Sequence, residues 1–201
     1  MLTTPMRVLF LENHDSFSWN VIDALPVQRD HVTIVSGNPP QAVGHTNTGE
    51  VDSAILRGFD CLVIGPGPTD PIRAGIVDIV HQAAEIRLPT LGVCLGHQAI
   101  GLAFGARLIR TLPMHGKQSK VEFAPSRLFP NIRGCHTVMR YHSLSLDEIE
   151  SPLKIIARTG DGIAMAIEHE SLPIAGVQFH PDSYATETGR AMIAAFFGAI
   201  A

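Results

Sequence analysis

Cysteine, aromatic residues and basic charge are all sparse in this chain of 201 residues, and each shortage narrows what it can be. Cys61, Cys94 and Cys135 are three in number and form no CxxC pair, which argues against a disulfide framework or a zinc ribbon and suits a reducing compartment. Fifteen Lys and Arg face nineteen Asp and Glu, a net charge of −4 with no basic run. Such a surface has little to attract a nucleic-acid backbone or an anionic membrane, so a small-molecule or protein partner is expected. The most apolar stretch, residues 191–201, falls short of the roughly 18–20 residues that a bilayer span needs. The opening MLTTPMRVLFLENHD lacks the charged segment, apolar run and cleavage site of a secretory signal, and a cytoplasmic protein is expected.

Hydrophobic residues, by contrast, make up 45% of the chain, enough for a core. At roughly 100–200 residues per domain the length predicts one domain over residues 1–201, burying about 70% of the unfolded surface. Residues 7–11 (RVLFL) read as a buried strand running into a polar loop, with Asp15 or Ser16 capping a helix through about Leu25. Residues 32–35 and 61–64 are further strands; residues 37–49 are a loop, and Gly65, Pro66, Gly67 and Pro68 form a turn that cannot continue a sheet. A helical pattern over residues 74–86 is followed by a strand at residues 90–94. After Gly105 come five strands without intervening helices, at residues 117–123, 137–146, 154–159, 162–168 and 174–179, then an amphipathic helix over residues 186–200. The expectation is an α/β fold: a largely parallel central sheet flanked by helices, with an antiparallel extension in the C-terminal half, and function in the loops at the strands' carboxyl ends.

One of those loops carries a nucleophile elbow. In LGVCLGHQA, Cys94 ends an apolar strand, precedes a helix and has Gly92 and Gly96 at i−2 and i+2, the small residues that a sharp strand-to-helix turn requires. Backbone N–H groups at a helix start favour thiolate over thiol and can donate to an oxyanion. Cys61 and Cys135 read instead as small buried hydrophobes. A metal site built on Cys94 and His97 lacks partners at zinc-like spacing, and no metal is expected. Of ten histidines, His180 is the best candidate base, since it follows an apolar strand and lies two residues before Asp182, a carboxylate able to fix its tautomer.

These residues resemble the class I, or triad, glutamine amidotransferases, which hydrolyse the glutamine side-chain amide to glutamate and ammonia. The resemblance runs in order through ENHDSFSWN (residues 12–20), GPGP (65–68), GVCLGHQAIG (92–101), MHGK (114–117), YHSL (141–144) and GVQFHPDS (176–183). The MHGK and YHSL segments look most like the subset serving chorismate-using synthases, such as anthranilate synthase and aminodeoxychorismate synthase. The resemblance implies Cys94 as nucleophile, His180 and Asp182 as the other triad members, and the N–H groups of Gly67 and Leu95 as the oxyanion hole. It implies that Gly65, Pro66, Gly67, Gln98, Ser143 and Leu144 hold L-glutamine. Judged without it, Gln98 reads as a helix-surface residue and Ser143 as a strand residue. His115 and Lys117 read either as a solvated turn or, by the resemblance, as lying near the synthase interface.

One domain leaves no room for a chorismate-binding unit, so the resemblance implies a separate synthase subunit, or a counterpart of a domain fused in other proteins. This subunit is expected to need no cofactor, any magnesium belonging to the synthase. Asp182 stands where the family usually has glutamate, and His14 and Trp19 where tyrosines are more usual. The shorter carboxylate implies reduced or more partner-dependent activity. Three alternatives stay open: a noncatalytic regulatory subunit of such a synthase, a glutaminase serving another acceptor such as a nucleotide precursor, and a peptidase acting on γ-glutamyl peptides. Anthranilate, 4-amino-4-deoxychorismate and an aminated isochorismate remain open as products.

Overall fold

The first strand, β1 (Val8–Glu12), alternates its side chains between two apolar layers. Val8 and Phe10 join one core cluster, Leu9 and Leu11 the other, as the two-residue period of a strand dictates when both faces are covered. The computed structural model describes residues 6–36, 51 and 53–201, so the loop expected at residues 37–49 lies outside the described residues. Among the described residues, five parallel strands make one half of a nine-stranded sheet: β2 (Val32–Ser36), β1, β3 (Cys61–Ile64), β4 (Thr90–Val93) and β9 (Ile174–Val177). The other half is antiparallel, continuing through β8 (Ala164–His169), β7 (Leu153–Thr159), β5 (Arg107–Phe123) and β6 (Gly134–Asp147). The expected parallel sheet with an antiparallel extension is therefore what forms.

Helices cover both faces. Residues of α1 (Ser18–Ala24) and α5 (Gly189–Ile200), including Val21, Ile22, Met192, Ile193 and Phe196, pack on the Val8 and Phe10 side. Residues of α3 (Val77–Glu85) and α4 (Leu95–Ala103), including Val80, Ala83, Ala99 and Ile100, pack on the opposite side, where Leu56 of the short α2 (Ser53–Leu56) also lies. Among the described residues no helix is long and apolar enough to cross a membrane.

Several elements differ in extent from the sequence reading. The first helix begins at Ser18 because the Asp15 carboxylate accepts the Phe17 N–H at 2.8 Å, forming a turn ahead of it. The third and last helices likewise start at Val77 and Gly189, after turns. Strand β5 begins ten residues earlier than expected, at Arg107 rather than Lys117. Pro113 and Gly116, the latter at φ +64°, interrupt its alternation, and the pairing with β6 slips at Arg110/Met114 and again at His115/Lys117. Cys135 corrects another expectation: it is exposed, not buried, because it lies on β6, the last strand of the sheet, opposite Glu122.

Candidate active site

Four loops at the carboxyl ends of parallel strands converge: residues 13–17 after β1, 65–68 after β3, 94 after β4 and 178–182 after β9. Cys94 has φ +53° and ψ −95°, a backbone conformation costly for any residue with a Cβ. Its N–H is anchored to the Val177 carbonyl of β9 at 2.8 Å and its carbonyl accepts the Gln98 N–H at 3.2 Å, which fixes the turn between β4 and α4. Glycine is required on both sides: a Cβ at Gly92 would run into the backbone of Gly96, and one at Gly96 into the Ile64 carbonyl. Leu95 is the first residue of α4, so its N–H has no intrahelical partner.

His180 lies behind the sulfur. Its ring is close enough to Cys94 to feel its charge, and its Nδ1 stands 3.3 Å from Asp182 Oδ1, with the Asp182 side chain fully buried. Among the described residues neither Nδ1 nor either carboxylate oxygen has a well-aligned hydrogen-bond partner, so the pair interacts through charge and proximity. Burial pushes the imidazolium down, but the contacts with Asp182 and Cys94 and their charges outweigh it and raise the ring's pKa to about 10. Phe17 and Tyr141 wall the ring, with centroids 5.2 and 5.1 Å from it and edge-to-face geometry.

Cys94 opens onto a cavity of about 490 Å³, within the range of small-molecule sites. Gly67, Gln98, Ser143, Leu144 and His115 also line it, five of the residues singled out from sequence. Gly65 and Pro66 do not. They are buried behind the turn, where the Gly65 N–H bonds the Leu11 carbonyl at 3.0 Å and Asn13 Nδ2 donates to the Gly65 carbonyl at 3.0 Å. Lys117 is exposed and lies outside the cavity, one bulge beyond His115. Gln98 is only 3% exposed, a correction to its helix-surface reading. Its Nε2 donates to the Leu144 carbonyl at 3.3 Å and to Gln178 Oε1 at 3.1 Å.

Sequence reasoning gave no place in the site to Asp15, Asp70, Arg73, Arg110, Tyr141 or His142, all of which line the cavity. Arg73 pairs with Asp70 at 3.4 Å. Burial, reinforced by the charge of Arg140, pushes His142 down to about 4, a neutral ring whose Nδ1 bonds the Leu144 carbonyl at 2.8 Å. Tyr141 and His142 sit in the quoted YHSL segment and Asp15 in ENHDSFSWN, so a signal was present; Asp70, Arg73 and Arg110 carried none, and for Arg110 the reason is that the β5 bulge that places it is not visible as a pattern.

Known proteins resemble the chain over nearly its whole length. A family model described as glutamine amidotransferase class-I matches residues 9–200. Anthranilate synthase component 2 of Mycobacterium tuberculosis is 39% identical over 193 residues, covering 94% of this chain and 80% of that protein. Aminodeoxychorismate synthase of Streptomyces griseus is 37% identical over 193 residues, which are 95% of this chain but 26% of that longer protein. A solved Thermoplasma acidophilum structure, described as one subunit of GMP synthase, shares the fold with a TM-score of 0.80 at 22% identity, covering 98% of this chain and 96% of its own. The chain belongs to the class-I glutamine amidotransferase family.

Proposed function

We propose that the chain is the glutaminase subunit of a chorismate-using synthase, with Cys94, His180 and Asp182 as its triad. The observation that carries this reading is the strained Cys94 elbow, opening on a cavity of amino-acid size with the His180–Asp182 pair behind it. L-glutamine enters with its carboxamide toward Cys94. A zwitterionic amino acid meets both signs of charge there, Asp15 and Asp70 against Arg73 and Arg110, while Gln98, Ser143 and Leu144 hold its backbone end.

The Cys94 thiolate attacks the carboxamide carbon, and the N–H groups of Gly67 and Leu95 receive the oxyanion. His180 then donates its proton to the departing nitrogen, the C–N bond breaks, and ammonia leaves a glutamyl thioester. Water next gives a proton to His180 as its oxygen attacks the thioester, releasing glutamate and restoring the free thiolate. A pKa held up near 10 keeps the ring protonated as thiolate and imidazolium coexist. Asp182 supports that imidazolium electrostatically.

Relatives named anthranilate synthase component 2 and aminodeoxychorismate synthase support a synthase partner as ammonia acceptor. The chain matches about a quarter of the longer Streptomyces griseus protein, which is itself named as a synthase. His115 and Lys117, both exposed on β5, belong to the surface facing that partner in this reading, and any magnesium is held by the partner. A free catalytic thiol suits a cytoplasmic setting. The noncatalytic alternative draws on the poorly aligned Asp182 alone. Treatment with a chloroketone analogue of glutamine separates the two: the expected result is near-stoichiometric alkylation of the Cys94 peptide, blocked by glutamine. Labelling spread over Cys94 and Cys135 without protection by glutamine would remove the catalytic reading.

A further inference from the structure

Behind Cys94 runs a buried hydrogen-bond chain whose direction is fixed by members that have no choice of role. Arg140 can only donate, and its Nε lies 3.0 Å from His142 Nε2, which therefore accepts. His142 Nδ1 is left with the proton and donates to the Leu144 carbonyl at 2.8 Å. That carbonyl can only accept, so the Gln98 group 3.3 Å from it is the amide nitrogen, and the same nitrogen reaches Gln178 Oε1 at 3.1 Å. With its oxygen committed there, Gln178 turns its own Nε2 to Cys94 Sγ, 3.7 Å away.

Gln178 is well held for such a task. Its side chain has no solvent exposure, and its backbone N–H bonds the Met165 carbonyl at 2.9 Å. The chain bends just after β9, and backbone hydrogen bonds fix both sides of that bend, Gln178 N–H to the Met165 carbonyl and His180 N–H to the Met139 carbonyl, so one short segment holds both an amide donor and an imidazole near the same sulfur. A sulfur that accepts from the Gln178 amide beside the His180 ring has the surroundings that suit a thiolate.

We infer that Gln178 is a hydrogen-bond donor to the Cys94 sulfur, holding the thiolate alongside His180, with its orientation set from Leu144 through Gln98. This rests on the reading of Cys94 as the nucleophile. Gln98 and Leu144 both line the glutamine cavity, so the groups that meet the substrate are also those that aim Gln178. Gln178 thus positions the nucleophile without contacting the cavity itself.

The test is the pH dependence of Cys94 alkylation by iodoacetamide in a Cys135→Ser background, which leaves Cys61 buried and Cys94 as the reporter. Gln178→Met, of similar shape but without a donor, is expected to raise the pH midpoint by about half a unit to one unit and to slow labelling at pH 7 about three- to tenfold. Gln178→Glu, which turns an acceptor toward the sulfur, is expected to raise it further. Gln98→Met breaks the lock without touching the sulfur and should shift the midpoint in the same direction but less; it carries the test alone if the Gln178 variants do not fold. Unmoved midpoints in folded variants, beside normal labelling of the background protein, would overturn the role of Gln178 while leaving Cys94 as nucleophile. A Cys94 that resists the reagent at every pH in the background protein would instead count against the nucleophile, and the inference would fall with it.

Discussion

Asp182 is one methylene shorter than the glutamate usual after the His-Pro pair in the family it resembles, and the geometry registers the difference. Its carboxylate stops 3.3 Å from His180 Nδ1 without good alignment, and both oxygens are buried without hydrogen-bond partners among the described residues. A longer side chain at this position can close that gap, so Asp182→Glu is expected to raise the rate of ammonia release by a few-fold, and Asp182→Asn to lower it about tenfold, or ~1.4 kcal/mol of barrier. Ammonia assayed in the presence of the synthase checks both; an Asp182→Glu rate equal to that of the native chain would show that the shorter side chain is no handicap. Cys94, His180 and Asp182 were legible from a turn signature and a histidine two residues before a carboxylate. Gln98 was legible only through the family resemblance and Gln178 not at all, because a glutamine's burial depends on partners such as the Leu144 carbonyl that lie far off in sequence.

The elbow between β4 and α4 is where local sequence and tertiary packing agree most closely. Gly92 and Gly96 are flagged by their spacing around Cys94, and the structure adds what they make room for: the Gly96 backbone in one case, the Ile64 carbonyl at the end of β3 in the other. Backbone atoms cannot rotate away from an added Cβ. Gly96→Ala is therefore expected to destabilise the fold by about 2 kcal/mol or more and to abolish glutaminase activity. Urea unfolding midpoints measure the first effect, and native stability in Gly96→Ala would show that α4 can move off β3. Strand β5 is the opposite case. Its first ten residues escaped the sequence reading because two register slips and the Pro113 and Gly116 interruptions erase alternation, yet those irregularities bring Arg110 and His115 to the cavity.

Across the whole molecule, the order of strands and helices was readable because parallel strands buried on both faces are continuous apolar runs, while the sheet order, which carries β9 beside β4 and so His180 beside Cys94, is set by long-range pairing. The buried histidines give the molecule a stability profile of stated sign. His180, held up to about 10 against an ordinary 6.5, contributes stability that is complete below about pH 6.5 and is lost as pH rises toward 10. His97 and His142 are pushed down, chiefly by burial, to about 3 and about 4, so their contribution is present above pH 6.5 and is lost as pH falls through 4 and then 3. Melting temperature is expected to peak near pH 6.5 and decline on both sides, with His180→Gln flattening the alkaline limb; an unchanged alkaline limb in that variant would contradict the charge assigned to His180. The central claim, that this chain releases ammonia from glutamine for a chorismate-using partner, is tested most directly by following the nitrogen. The tagged chain is recovered with its partner from its own source, given chorismate, magnesium and glutamine labelled at the amide nitrogen, and the products are identified by mass. The expected result is a labelled aminated product of chorismate or isochorismate that disappears with Cys94→Ala, whereas a co-purified synthase that leaves all the label in glutamine would contradict the claim.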